Sequence, residues 1–99
     1  MTKIILNLKD NILYFEAQGH SDYKNDDTGN NDVCVAVSTL CSMLVRFVAE
    51  RGKPIEKAED GHVVINIPRP TVYIETVFDA AMLELMALEK EYPEHIKLY

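Results

Sequence analysis

The stretch that decides the fold is AEDGHVVINIP, residues 58–68. Asp60-Gly61 is a dipeptide that favours a two-residue β-turn, and residues 63–67 are rich in β-branched side chains. Together they predict a β-hairpin with strands at residues 54–59 and 62–68. The rest of the chain is interpreted outward from this hairpin.

An earlier hairpin is predicted at the start of the chain. Residues 3–9 and 12–18 are runs with strong β propensity, and Asp10-Asn11 between them tolerates tight-turn geometry. The hairpin at residues 54–68 is therefore the second of two, and a long polar segment and an apolar segment separate them.

The polar segment, residues 19–32, is dominated by Gly, Asn, Asp, Ser and Thr. Such a composition cannot pack a core, so we expect an exposed loop. Its length of about 14 residues is typical of a functional loop. Gly19 and Gly29 permit hinge geometry and Tyr23 supplies a side chain that can dock, which leaves both a lid and a plain linker open.

Two amphipathic helices are predicted from apolar residues that recur every three or four positions. The first follows the polar loop and ends near Arg51-Gly52, and the second follows Pro70 and ends before Pro93. Their apolar stripes are Val33, Val37, Leu40, Leu44 and Val48 in the first helix, and Ile74, Phe78, Ala81, Leu85, Leu88 and Tyr92 in the second.

The element order is thus ββαββα, which predicts an α+β two-layer sandwich. Two hairpins form an antiparallel sheet, and both helices pack on one face of it. Residues 95–99 can add a short strand at an edge. With 99 residues and 47% hydrophobic content, we expect a single domain spanning residues 1–99, and pairing with a second copy would cover remaining apolar surface.

Charge and hydropathy narrow the function classes. The net charge of -6 disfavours direct binding to nucleic acid, because affinity for a phosphate backbone comes mainly from Lys and Arg. The same field suits a basic protein or peptide, or serves solubility alone. No apolar run approaches about 18 residues and the N-terminal residues lack a signal-peptide pattern, so a cytosolic protein without a membrane span is expected.

A histidine and a cysteine lie at opposite ends of the polar loop. Asn31 or Asp32 is the expected N-cap of the first helix, which places Cys34 in its first turn. Unpaired backbone N–H groups and the helix dipole there favour a thiolate, and the same N–H groups can donate to the oxyanion of a tetrahedral intermediate. His20 can act as base and then acid. The alternative is a small hydrophobe at Cys34 and an ordinary surface histidine at His20. Cys41, two turns inside the helix, is expected to fill the core.

Other kinds of site fit the sequence poorly. A calcium loop with Gly29 at its turn places Lys24 first and Val35 last, and neither side chain can ligate calcium there. Zinc ligands drawn from the histidines and cysteines lack the paired spacings of known zinc sites. We therefore expect no metal and no cofactor, although a redox role for Cys34 stays open.

Three motifs resemble the family of ribosomal-processing cysteine proteases, Prp. They are Gly19-His20, the block Val33-Cys34-Val35-Ala36-Val37-Ser38 that opens a helix, and Glu91-Tyr92-Pro93-Glu94-His95-Ile96 near the end. The resemblance spans essentially the whole chain and implies a cysteine endopeptidase, usually a homodimer, with a two-layer α+β fold. Its substrate would be the precursor of the twenty-seventh protein of the large ribosomal subunit, from which it removes an N-terminal extension.

Carried onto this sequence, the resemblance makes His20 the catalytic histidine and Cys34 the nucleophile. Ser38 matches a serine that helps form the site. Gly19 lies in the first motif, and Gly29 and Asp32 lie in the segment Gly29-Asn30-Asn31-Asp32-Val33-Cys34 that leads into the second.

The chain departs from the family pattern in two places. Asn31 stands where an acid is expected, so it can keep that residue's hydrogen bonds but not its charge, unless Asp32 substitutes for it. The loop between His20 and Cys34 is about two residues longer than in the usual pattern. A relative that binds a peptide without cutting it is therefore the alternative function.

Overall fold

The computed structural model describes residues 1–20, 27 and 31–99. In chain order its elements are β1 (Thr2–Lys9), β2 (Ile12–Gln18), α1 (Asp32–Glu50), β3 (Lys57–Glu59), β4 (His62–Pro68), α2 (Val72–Glu91) and β5 (Ile96–Leu98). The predicted order ββαββα is confirmed, and the short C-terminal strand that the sequence left open is present.

The five strands form one sheet in the order β3-β4-β2-β1-β5. Two-residue turns join β1 to β2 and β3 to β4, and β2 also pairs antiparallel with β4. In the first turn Asp10 and Asn11 both adopt positive φ, at 54° and 59°, which is the geometry that matches the twist of a tight hairpin. Strand β5 runs parallel to β1, so the sheet is antiparallel only across its other four strands.

Strand β3 is shorter than the predicted run from residue 54 to 59. It starts at Lys57, and the preceding Ile55 is partly buried against the core instead of pairing in the sheet. Pro54 has no backbone N–H to give to a ladder, which explains why pairing does not extend that far.

The core lies between one face of the sheet and the two helices. Alternate residues of β2 and β4 point into it, and the predicted stripes of both helices meet them there. Phe15 of β2 and Phe78 of α2 pack edge to face with ring centroids 5.7 Å apart. The core side chains with the least exposure are Ile4, Phe15, Val33, Leu44, Val48, Ile65, Ile67, Phe78, Leu85 and Ile96.

Helix α1 is apolar enough, at a mean hydropathy of 1.8 over its 19 residues, to have the length and composition of a membrane span. This differs from the expectation that no segment approaches such a length. Its apolar character has a local explanation, because Val33, Val37, Cys41, Leu44 and Val48 are buried in the core. A helix that packs in the core of a two-layer protein can have the same length and apolar composition as a membrane span.

Candidate active site

A cavity of about 340 Å³ opens between α1 and the end of the sheet where β2 and the β3–β4 turn meet. We call it the α1 pocket. Four of the residues singled out from the sequence line it, namely Gly19, His20, Cys34 and Ser38. Residues from three separate parts of the chain therefore converge on one concave surface.

The His20 side of the pocket is shaped by Gly19. This glycine has φ +98°, a conformation that other residues rarely adopt, and a Cβ built on it would lie 2.5 Å from the carbonyl oxygen of Met1. Its N–H donates to the carbonyl of Gly61 at 2.9 Å. The chain thus leaves β2 along a fixed path that places His20 at the pocket with an exposed side chain.

The Cys34 side is shaped by the start of α1. Asn31 is the N-cap, and its Oδ1 accepts a hydrogen bond from the N–H of Cys34 at 3.0 Å. The N–H of Val35 donates to the carbonyl of Asn31 at 3.1 Å. The sequence left Asn31 and Asp32 open as caps, and the structure selects Asn31.

This cap changes what the helix terminus can offer. The sequence suggested that first-turn N–H groups both activate the sulfur and donate to an oxyanion. Because the N–H of Cys34 is already bonded to Asn31, this group is not available as an oxyanion donor. The positive end of the helix dipole is unaffected, since it belongs to the whole helix.

The two cysteines differ sharply in environment. Cys34 is partly exposed and Cys41 is buried, with 6% of its surface accessible, and neither forms a disulfide. Burial raises the pKa of the Cys41 thiol to about 11, so this group stays protonated near neutral pH. Cys41 belongs to the core cluster and reaches the inner wall of the α1 pocket, which confirms its expected packing role.

Ser38 lies one helical turn after Cys34 and is exposed. The hydroxyl of the next residue, Thr39, donates to the carbonyl of Val35 at 2.8 Å, which is a common arrangement in helices. Ser38 makes no such bond within the described part of the chain. Its hydroxyl is therefore available to a molecule in the pocket.

Two of the predicted site residues, Asn31 and Asp32, are not among the described residues that line the pocket. Asn31 caps α1 and Asp32 is the first residue of that helix. Gly29 lies outside the described residues, as does Tyr23, so the predicted hinge and docking roles of the loop have no structural description. Among residues 1–20, 27 and 31–99 no cluster of three or more His, Cys, Asp or Glu side chains is placed to hold a metal ion.

Sequence reasoning missed one whole wall of the pocket. The β3–β4 hairpin contributes residues 58–63, and α1 contributes Ser42 and Arg46 beyond Ser38. Ser42 and Arg46 follow Cys34 and Ser38 at steps of four residues, so helical periodicity was a signal that could have found them. The hairpin wall had no sequence signal, because it depends on β4 lying next to β2.

A polar cluster occupies the sheet face opposite the helices, close to the same end. Nε2 of His62 lies 2.7 Å from Oε2 of Glu16, and the hydroxyl of Tyr14 donates to Oε1 of Glu16 at 2.9 Å. The bond to His62 lowers the pKa of Glu16, assisted by the bond from Tyr14 and opposed by desolvation. Desolvation and the adjacent Glu16 raise the pKa of Tyr14. The cluster ties β2 to β4 beside the pocket.

Comparison with known proteins gives a family match over almost the whole chain. The model of the family described as cysteine protease Prp matches residues 1–97. No match is found among the curated proteins.

Solved structures share the fold. The S. aureus essential ribosomal processing protease Prp, in complex with a covalently linked product peptide, superposes with a TM-score of 0.78 at 19% identity, covering 99% of this chain and 97% of that one. The same protease with a substrate peptide gives 0.72 at 18%, covering 100% and 98%. SMU.848 from Streptococcus mutans gives 0.69 at 22%, covering 99% and 91%. The five-stranded sheet and two helices match this fold.

Proposed function

Because the chain belongs to the cysteine protease Prp family, we propose that it is a cysteine endopeptidase in which Cys34 is the nucleophile and His20 carries the proton. The observation that carries this proposal is that both side chains line the α1 pocket, although a polar loop separates them in sequence. A thiol and an imidazole at one cavity are the minimal groups for acyl transfer.

The chemistry runs in two halves. The Cys34 sulfur, as thiolate, attacks the carbonyl carbon of the peptide bond, and imidazolium at His20 protonates the departing amine. Water then attacks the thioester carbon while neutral His20 takes a proton from it, and collapse of the intermediate expels the Cys34 thiolate, which releases the acid and restores the thiolate–imidazolium pair. Cys34 lies in the first turn of α1, at the positive end of the helix dipole.

We assign the oxyanion donor to Ser38. Its exposed hydroxyl lines the pocket one turn after Cys34 on the same helix. The N–H of Cys34 is engaged by Asn31, so this backbone group does not serve as the donor. A side-chain hydroxyl aimed at the developing negative charge can take that part, as such donors do in other acyl transfer enzymes.

The proposed substrate is the precursor of the twenty-seventh protein of the large ribosomal subunit, from which the enzyme removes an N-terminal extension. Support comes from the family and from the S. aureus protease, which has been solved with a substrate peptide and with a covalently linked product peptide. The net charge of -6 also favours approach of a basic ribosomal protein.

Incubation with tagged precursor protein, followed by intact mass analysis, tests this function. The native chain is expected to release one defined N-terminal fragment, and both Cys34→Ala and His20→Ala are expected to release none. Cys41→Ala is the matched control, because it removes the other thiol and leaves Cys34 in place. Cleavage that persists in Cys34→Ala would contradict the nucleophile, and tight binding without cleavage by the native chain would identify a peptide-binding relative.

A further inference from the structure

The β3–β4 turn, which sequence reasoning assigned only to folding, is in direct contact with the ring of His20. A Cβ built on Gly61 would lie 2.9 Å from Cε1 and 3.1 Å from Cδ2 of that ring, and closer still to Nε2. Real Cβ atoms do not approach other atoms so closely. The imidazole of His20 therefore occupies the space that any side chain at position 61 would need.

The backbone reinforces this contact. The N–H of Gly19, one residue before His20, donates to the carbonyl of Gly61 at 2.9 Å. Gln18 of β2 pairs antiparallel with His62 of β4. The next residues toward the pocket, Gly19 and Gly61, therefore lie beside each other. The turn is thus bonded to the chain that carries His20, and the His20 ring lies over it.

We infer that Gly61 is a positioning residue, and that the bare backbone of the β3–β4 turn is the surface on which the His20 imidazole rests in the α1 pocket. The inference rests on the proposed function, because it concerns His20 as the proton carrier. Two features of this position favour glycine. The His20 ring fills the space of a side chain, and the φ of +77° is one that other residues rarely adopt.

The contact has a kinetic consequence. A side chain at position 61 pushes the imidazole away from its place relative to Cys34 without touching Cys34, Ser38 or the substrate carbonyl. Misplacement of a catalytic group by about 1 Å costs on the order of 100-fold in rate. The loss in kcat is the part that reports on the imidazole, and a change in KM can accompany it because Gly61 itself lines the α1 pocket.

The chain contains a matched control for backbone strain. Gly52 has φ +71°, close to that of Gly61, but a Cβ built on it meets nothing within 4 Å. It follows α1 at the end of the helix remote from Cys34. Gly52→Ala therefore imposes a similar backbone penalty without moving the ring.

The experiment compares Gly61→Ala, Gly52→Ala, His20→Ala and the native chain. Both glycine variants are expected to lower the melting temperature by similar amounts. Gly61→Ala alone is expected to lose about 100-fold in kcat. It is also expected to move the pH profile of Cys34 alkylation toward that of His20→Ala, which a purely structural defect would not do.

Each outcome has one meaning. Equal activity and equal alkylation profiles for the two glycine variants would overturn the role of Gly61, while inactivity of His20→Ala would still support the protease. Full activity of His20→Ala would instead refute the proposed proton carrier. If Gly61→Ala does not fold, nuclear Overhauser contacts between the His20 ring protons and the Gly61 α-protons in the native chain decide the matter, and their absence would refute the contact.

Discussion

The backbone N–H of Cys34 donates to Oδ1 of Asn31 across 3.0 Å, so the helix cap is bonded directly to the residue proposed as nucleophile. The capping residue therefore affects the stability of α1 and the surroundings of the sulfur together. Since Asn31 is neutral, it supplies this bond without placing a negative charge beside a thiolate.

We expect Asn31→Ala to lower the free energy of unfolding by about 1 kcal/mol and to slow alkylation of Cys34. Thr71→Ala is the matched control, because Oγ1 of Thr71 accepts from the N–H of Ile74 at the start of α2 in the same way. The control is expected to lose similar stability and to leave Cys34 unchanged. Denaturant unfolding and iodoacetamide kinetics measure the two quantities. An equal effect of both substitutions on Cys34 would contradict a local role for the cap.

Asn31→Asp keeps the acceptor and adds a charge. We expect it to preserve stability, because Asp is as good an N-cap as Asn. We expect alkylation of Cys34 near neutral pH to become slower, because a carboxylate beside the sulfur disfavours the thiolate. Alkylation rates between pH 5 and pH 9 test this. Faster alkylation of Cys34 in the Asp variant would show that the charge at the start of α1 does not control the reactivity of this sulfur.

The two thiols should react very differently. Burial raises the pKa of Cys41 to about 11, so at pH 8 only about one molecule in a thousand carries its thiolate, and the sulfur is shielded as well. We expect iodoacetamide at pH 8 to label Cys34 and to spare Cys41, as read by peptide mass mapping. In guanidinium chloride the labelling should become equal. Comparable labelling of both in the folded protein would contradict the core placement of Cys41.

Ser38→Ala removes the proposed oxyanion donor. Loss of one such donor costs about 100- to 1,000-fold in kcat in enzymes of this type, and we expect a fall of that order with KM nearly unchanged. Thr39→Ala is the matched control, because it removes a hydroxyl from the next residue, whose bond goes to the backbone of its own helix. Steady-state kinetics on the precursor protein separate the two. Equal rates for both variants would exclude Ser38 as the donor.

The polar cluster of Tyr14, Glu16 and His62 predicts a dependence of stability on pH. The pKa of Glu16 is lowered in the folded state, chiefly by the bond to His62. A lowered carboxyl pKa stabilises the fold above the unfolded value of about 4.3 and loses that contribution as the pH falls through the folded value.

We therefore expect Glu16→Gln to be less stable than the native chain at pH 6, and the difference to shrink as the pH falls from about 4.3 toward 2. Glu84→Gln on the exposed face of α2 is the charge-matched control. Its difference in stability from the native chain should not shrink over this pH range. Thermal unfolding across this range measures it. A stability gap that stays constant down to pH 2 would contradict the assignment.

Much of the fold could be predicted from the sequence, because the hydrophobic periodicity and the turn residues indicate the same helices and strands. The stripes of both helices and the turns at Asp10-Asn11 and Asp60-Gly61 are all found as predicted. The parallel pairing of β5 with β1 could not be read, since three residues carry no signal about which strand they will join. Strand order is a long-range property, whereas periodicity is local.

The same limit applies to the candidate site. Cys34 and Ser38 share a helix, so their common face followed from spacing alone. The contact between His20 and Gly61 depends on β4 lying beside β2, and no pattern within either segment specifies that neighbour. Apart from Ser42 and Arg46, which share the helical face of Cys34, the residues missed were those that the sheet brings to the pocket.

The segment between His20 and Asn31 is held independently at its two ends. Gly19 is bonded to Gly61 at one end, and Asn31 is locked into the cap of α1 at the other. Insertions or deletions between these two anchors are therefore expected to leave the backbone at Gly19 and the start of α1 in place, so the chain can vary in length there without moving either wall of the α1 pocket.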